Sequence, residues 1–258
     1  MKSEKQPFTT LRRSAAEVKR YRVLRRIIPA VSGAIIALLV IVYVISLLFN
    51  KYGSFTIKIK DYNDRNYALS LSENEKFVNP VTVLNAKAAK NITNIDGNTL
   101  PSNLNDVNGE HNGKNYVAYT FYVKNTGTLE FAYDYKLIIS KMTSGLDSAV
   151  RVRLYYTPFY FRAEENVYDY GGSFVEYAKA KTGGNGAPEV DPENRVMTNF
   201  LSSGVITAGT VEAFKPGDIS KITVVIWIEG NDPDCTDDLL GGEFKLDMIA
   251  EVVGSNEL

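Results

Sequence analysis

Cysteine occurs once in the 258 residues, at Cys235, and histidine once, at His111. A single cysteine has no partner for an intrachain disulfide and cannot build a thiolate metal cluster, so the fold has to stand on its apolar core. A single histidine excludes a zinc site of the His-Glu-x-x-His type and leaves a Ser-His-Asp triad with one candidate base. No Gly-x-Ser-x-Gly elbow accompanies it. The Gly-Gly pairs at 171–172, 183–184 and 241–242 lack the spacing and the following helix that a phosphate-binding loop needs. Helical periodicity of useful length is missing after residue 50. A basic surface is missing there too, because residues 51–258 hold twenty Lys/Arg against twenty-eight Asp/Glu. Phosphate backbones bind to clustered cations, so nucleic acid is not an expected partner. An enzyme therefore ranks behind the other readings, and no cofactor is expected apart from the Ca²⁺ considered below.

The cations are concentrated at the other end. Residues 1–26 hold nine Lys/Arg against two Asp/Glu, and the next twenty-three residues, from Ile27 to Phe49, carry no charge. As a helix that run reaches about 34 Å at roughly 1.5 Å per residue, enough to cross a hydrocarbon core of about 30 Å. Arg20, Arg22, Arg25 and Arg26 precede the run and only Lys51 follows it closely, so the positive-inside rule puts the N-terminus in the cytoplasm and the remainder outside. A cleaved signal peptide is the competing reading. The run is long for that role, and its exit lacks small residues at the cleavage positions, which favours a retained anchor. The expected organisation is therefore a basic cytoplasmic tail (1–26), a transmembrane helix (27–49) and an extracellular domain (52–258), in a single-pass protein of the cell membrane. Exported domains without disulfides suit a Gram-positive bacterial surface.

The outer part reads as strands. Phe55, Ile57 and Ile59 alternate with polar residues in Ser54–Lys60, the period of two of a half-buried strand. Tyr116–Lys124 and Leu129–Ser140 read as a hairpin joined by Asn125-Thr126-Gly127-Thr128, whose Asn and Gly tolerate the positive φ of tight turns. In Ala149–Tyr156 the pattern turns Val150, Val152 and Leu154 inward and Arg151 and Arg153 to solvent. Glu243–Val253 turns Phe244, Leu246, Met248, Ala250 and Val252 inward. Ile219–Glu229 is apolar on both faces and reads as a central strand carrying the only Trp, Trp227. Shorter strands are expected at Tyr67–Ser72, Val81–Leu84 and Thr210–Phe214. The fold class that follows is mainly β, a jelly-roll-like antiparallel β-sandwich preceded by one transmembrane helix.

Residues 85–115, with nine Asn, and the turn-rich 181–195 read as long surface loops, either recognition surfaces or insertions. The densest polar cluster follows the central strand, where Asp232, Asp234, Asp237 and Asp238 offer hard oxygen ligands to Ca²⁺. The EF-hand spacing is absent, and the same residues also suit a capped turn. Aromatics are dense in Tyr155-Tyr156-Thr157-Pro158-Phe159-Tyr160-Phe161, where they either pack the sheet or stack on sugar rings.

The strings KYGSFTIKI (51–59), NYVAYTFYVKNTG (115–127), AVRVRLY (149–155) and KITVVIWIEGNDPDCTDDLLGGEFKLDM (221–248) resemble those of membrane-anchored surface proteins of Firmicutes, distantly similar to the TasA/camelysin matrix proteins. The resemblance spans residues 52–253. It implies a jelly-roll domain at the cell surface and, for TasA-like members, polymerisation through exchanged strands. The retained anchor departs from a freely assembling fibre protein. The function expected is a non-enzymatic, membrane-tethered structural or interaction protein of the envelope or matrix, partnered by itself or other envelope proteins. The alternative is an extracytoplasmic glycan-binding module or an accessory subunit of a membrane complex.

Overall fold

A computed structural model describes residues 25, 27–29, 31–44, 55–60, 66–87, 89–191 and 194–253. The chain divides into two compact units, Met1–Lys51 and Tyr52–Leu258. In the first, a helix covers Ile27–Val44, eighteen residues of mean hydropathy 2.7. At roughly 1.5 Å per residue it is about 27 Å long, apolar enough and nearly long enough by itself to span a membrane. The last part of the expected span (45–49) and the basic tail apart from Arg25 lie outside the described residues.

Thirteen strands are described in the second unit: β1 (Phe55–Lys60), β2 (Leu69–Ser72), β3 (Val83–Ala86), β4 (Gly109–Glu110), β5 (Tyr116–Asn125), β6 (Phe131–Met142), β7 (Val150–Arg162), β8 (Val167–Tyr168), β9 (Phe174–Ala178), β10 (Thr198–Asn199), β11 (Val205–Phe214), β12 (Ile219–Ile228) and β13 (Phe244–Val253). One sheet has the order β11-β6-β13-β1-β3. The other runs β10-β9-β7-β12-β5-β2, with β4 added on β5 and β8 on β7. The sheets are mixed, which corrects the expectation of a purely antiparallel fold: β1 runs parallel to β13, Phe55 opposite Leu246, and β10 runs parallel to β9. Parallel neighbours need a long crossover. For β1 and β13 that crossover is the whole intervening chain.

The hairpin expected between β5 and β6 does not form, because the two strands belong to different sheets. The Asn-Thr-Gly-Thr connection bonds instead to the segment before β2. Thr126 and Gly127 donate to Ala68 O, and Thr128 and Leu129 to Asn66 O. The Asn125 side chain accepts from Gly127 N at 2.9 Å and donates to Leu129 O and Phe214 O. Gly127 is needed for closeness rather than for positive φ, since a Cβ there would lie 2.2 Å from Asn66 O. Besides the local Asn125 side chain, its amide bonds to Ala68 O, a partner far away in sequence that no local turn signature reports.

Alternate residues of both sheets meet in one core. Phe55 and Ile57 of β1, Tyr133 and Leu137 of β6, and Leu246, Met248, Ala250 and Val252 of β13 pack with Val117, Tyr119 and Phe121 of β5, Val152 and Leu154 of β7, and Ile222, Val224 and Ile226 of β12. The opposite face of the five-stranded sheet is charged: Lys60 pairs with Glu251 at 2.5 Å and Lys58 with Asp247 at 3.8 Å. That is the alternation of a sheet wet on one side.

The other sheet is covered on both sides. Leu100 and Leu104, from the Asn-rich stretch read as a surface loop, pack on Ala118, Tyr155, Val225 and Trp227. A buried chain of hydroxyls and amide, Thr120–Thr223–Asn105, ties the stretch down at 2.7 and 2.9 Å. This explains why β12 is apolar on both faces. It also corrects the expectation that Arg151 and Arg153 reach solvent: they are 1% and 8% exposed.

Candidate functional site

The burial of Arg151 and Arg153 organises one end of the covered sheet. Position 151 alternates outward on β7, but the face it enters is walled by other chain segments, so its guanidinium must find partners or lose several kcal/mol to desolvation. It finds them locally and at long range. Nη1 donates to Ser148 O and Val150 O at 3.2 Å, and Nη2 pairs with Asp232 and lies 4.0 Å from Glu189. Arg153 donates to Glu176 of β9 at 2.7 Å and lies over the rings of Phe174 (4.5 Å) and Trp227 (5.5 Å). Stacking on both aromatic faces offsets part of its lost hydration.

Around Arg151 opens a cleft of about 530 Å³, lined by Lys181, Thr182, Glu189, Val190 and Asp191 from one loop and by Glu229, Asn231, Asp232, Pro233 and Asp234 from another. Its carboxylates outnumber its cations, yet most already have partners. Glu229 accepts from Trp227 Nε1, Gly97 N and Asn231 N at 3.0–3.1 Å. Asp232 Oδ1 caps Asp234 N at 2.7 Å, and Asp234 accepts from Thr182 Oγ1 at 2.6 Å. Asp191 is held by Arg195. Glu189 is the least satisfied of them, with Arg151 at 4.0 Å. Burial, and then the nearby charge of Asp232, pushes its carboxyl above the usual carboxylate range. The arrangement clamps two loops onto the sheet through a buried Arg–carboxylate pair.

The four acids expected as Ca²⁺ ligands are therefore divided. Asp232 serves Arg151, Asp234 serves Thr182, and Asp237 and Asp238 open a 3₁₀ turn, Asp237–Leu239. Among the described residues no group of three or more His, Cys, Asp or Glu is placed to hold a metal ion. Asp232 caps the turn at Asp234 N, while the 3₁₀ turn that follows has no side-chain cap. His111 lies with Nδ1 2.8 Å from Gly109 O and Nε2 3.0 Å from Leu104 O, so its ring closes a turn of the covering stretch. Asn94 Nδ2 donates to Cys235 Sγ at 3.3 Å.

Sequence reasoning missed Glu189, Asp191, Lys181 and Thr182 as cleft residues. Only the acids and cations within a turn-rich loop signalled them, and Arg151, which Glu189 faces, lies thirty-eight positions before Glu189. It also missed β9 and the hairpin β7–β8, where aromatics reach the surface. Of the aromatic run 155–161, Tyr155 and Tyr160 are buried, whereas beyond it Tyr168, Tyr170 and Phe174 are exposed. Compared with known proteins, the chain matches no family model and no curated sequence.

Proposed function

We propose that the chain is a single-pass protein of a Gram-positive cell membrane, with residues 1–26 in the cytoplasm, the helix 27–49 as a retained anchor, and residues 52–258 displayed outside as a jelly-roll-like sandwich. Its role is non-enzymatic: a tethered structural or interaction module of the envelope, joining itself or another envelope protein by strand addition. The observation that carries this reading is β11, a ten-residue strand at the end of its sheet, paired on one side with β6 and, among the described residues, met on its other side only at Val205–Ile206, by Leu201 and Ser202. Its middle, Thr207–Val211, keeps an unbroken register against β6 and bears no charge. Natural edges are usually blunted by Lys, Pro, bulges or cover, because unpaired N–H and C=O groups template a further strand. Here the register breaks lie only at the two ends, between Val205 and Thr207 and between Val211 and Phe214, where Ala213 has φ 52°.

Ala208 is exposed on this strand. Light scattering of residues 52–258 is expected to show mass rising with concentration, and Ala208→Lys is expected to abolish the rise while leaving the thermal transition in place. A parent domain monomeric at every concentration would overturn strand addition.

A further inference from the structure

The covered sheet carries, at the end away from the Arg151 cleft, a group of tyrosines that the strand-addition reading does not use. β8 pairs with β7 through Phe161–Tyr168 and Arg162–Val167, and Asp169 N donates to Tyr160 O at 2.9 Å. Asn166, in the left-handed region at φ 53°, turns the connection. Gly171 at φ 56° then lies so close to β7 that a Cβ would stand 2.2 Å from Thr157 Oγ1. The segment 167–171 is thus fixed at both ends, and Tyr168 and Tyr170 project from it. Their rings are 16° from parallel with centroids 6.0 Å apart. The buried ring of Tyr160 meets both at steep angles, 77° at 5.5 Å and 85° at 5.9 Å. Tyr160 is itself set by its hydroxyl donating to Glu75 at 2.6 Å and by the Tyr122 ring at 5.4 Å. Yet Tyr168 stays 44% exposed and Tyr170 68%.

We infer that Tyr168 and Tyr170 form a binding surface for a neutral saccharide chain, an inference that rests on the domain facing the cell exterior. Two rigid phenol rings give apolar contact at low entropic cost because few rotors remain to be frozen. The C–H faces of a pyranose supply the electron-poor apolar surface that ring faces attract, while its hydroxyls need nearby acceptors. Glu75, which accepts from the Tyr160 hydroxyl, and Asp169, which lies between the two tyrosines in the chain and accepts from Gly171 N, supply carboxylates. Charge decides among the other ligands that stack on tyrosine. Nucleic acid and anionic lipid both require clustered cations, and the outer domain has an excess of acids. A neutral glycan meets no such penalty.

The test uses the full chain in lipid nanodiscs, free of sugar-based detergent, and measures binding to chitohexaose and cellohexaose and retention by insoluble chitin and cellulose. The parent is expected to bind at least one of these neutral β-linked glycans. Tyr168→Ala with Tyr170→Ala is expected to weaken that binding at least tenfold, and Tyr168→Phe with Tyr170→Phe to hold it within about threefold. Both residues are exposed, so an unchanged thermal transition separates lost binding from lost folding. No binding by the parent to any of the four, or binding indifferent to the double alanine change, overturns the inference. Either failure leaves the Ala208→Lys assembly test untouched, and failure of that test leaves this one standing.

Discussion

Arg151 is a cation with almost no water, held by two carbonyls, Asp232 and the more distant Glu189. Removing one member of such a buried pair strands the other, so Arg151→Met is expected to destabilise the domain by about 3–5 kcal/mol. The check is the denaturant midpoint of residues 52–258. Glu189 acts in the opposite sense. Its carboxyl titrates above the usual range in the folded domain, so between the unfolded and folded values the folded state holds a proton that the unfolded chain has lost. Stability at this group therefore falls as pH rises through that window and returns as pH drops toward the ordinary carboxylate range. Glu189→Gln, which mimics the protonated form, is expected to be more stable than the parent at about pH 7.5, the two converging on acidification toward about pH 4. Melting temperatures across that range measure it; a variant less stable at neutral pH would show the Arg151 attraction to dominate. Neither arginine's burial was legible. Alternation on a strand assigns a residue to a face, and the charge of Arg151 and Arg153 suggested a wet one, but whether a face is covered depends on segments elsewhere in the chain.

Among elements, β1, β12 and β13 appear within one residue of the boundaries read from the sequence, β1 and β13 from period-two alternation and β12 from its apolar residues on both faces. The β5–β6 connection was misread because its Asn and Gly fit a hairpin equally well. What decides its path is the backbone of Asn66 and Ala68, which takes its amides and leaves no room for a side chain at 127. Gly127→Ala is thus expected to destabilise by about 1–3 kcal/mol, the usual cost of overpacking, whereas a free hairpin turn would tolerate it with far less loss; chemical denaturation separates the two. The Asn-rich stretch misled for a related reason. Polar residues predominate in it, but Leu100 and Leu104, with Ile95 and the buried Asn105, seat it on Trp227 and its neighbours.

At the scale of the molecule, one sheet has a charged outer face and the other carries a second layer, with the Arg151 cleft and the tyrosine pair both on that layered side. The acidic turn after β12 drew attention in the sequence for its oxygen ligands. In the fold, Asp232 supplies the counter-charge of a buried arginine eighty-one positions away, a pairing that only the tertiary structure reveals. The helix, by contrast, follows from composition alone, as eighteen residues of mean hydropathy 2.7 that are long and apolar enough to cross a membrane.

Strand addition and glycan contact both require a tethered domain outside the cell. Cys235 is the chain's one cysteine and is partly exposed, so it reports the side of the membrane on which the domain stands. A membrane-impermeant maleimide applied to intact cells is expected to label the protein, with the label lost in Cys235→Ser. Labelling that appears only after the membrane is permeabilised would place the domain in the cytoplasm and contradict the account.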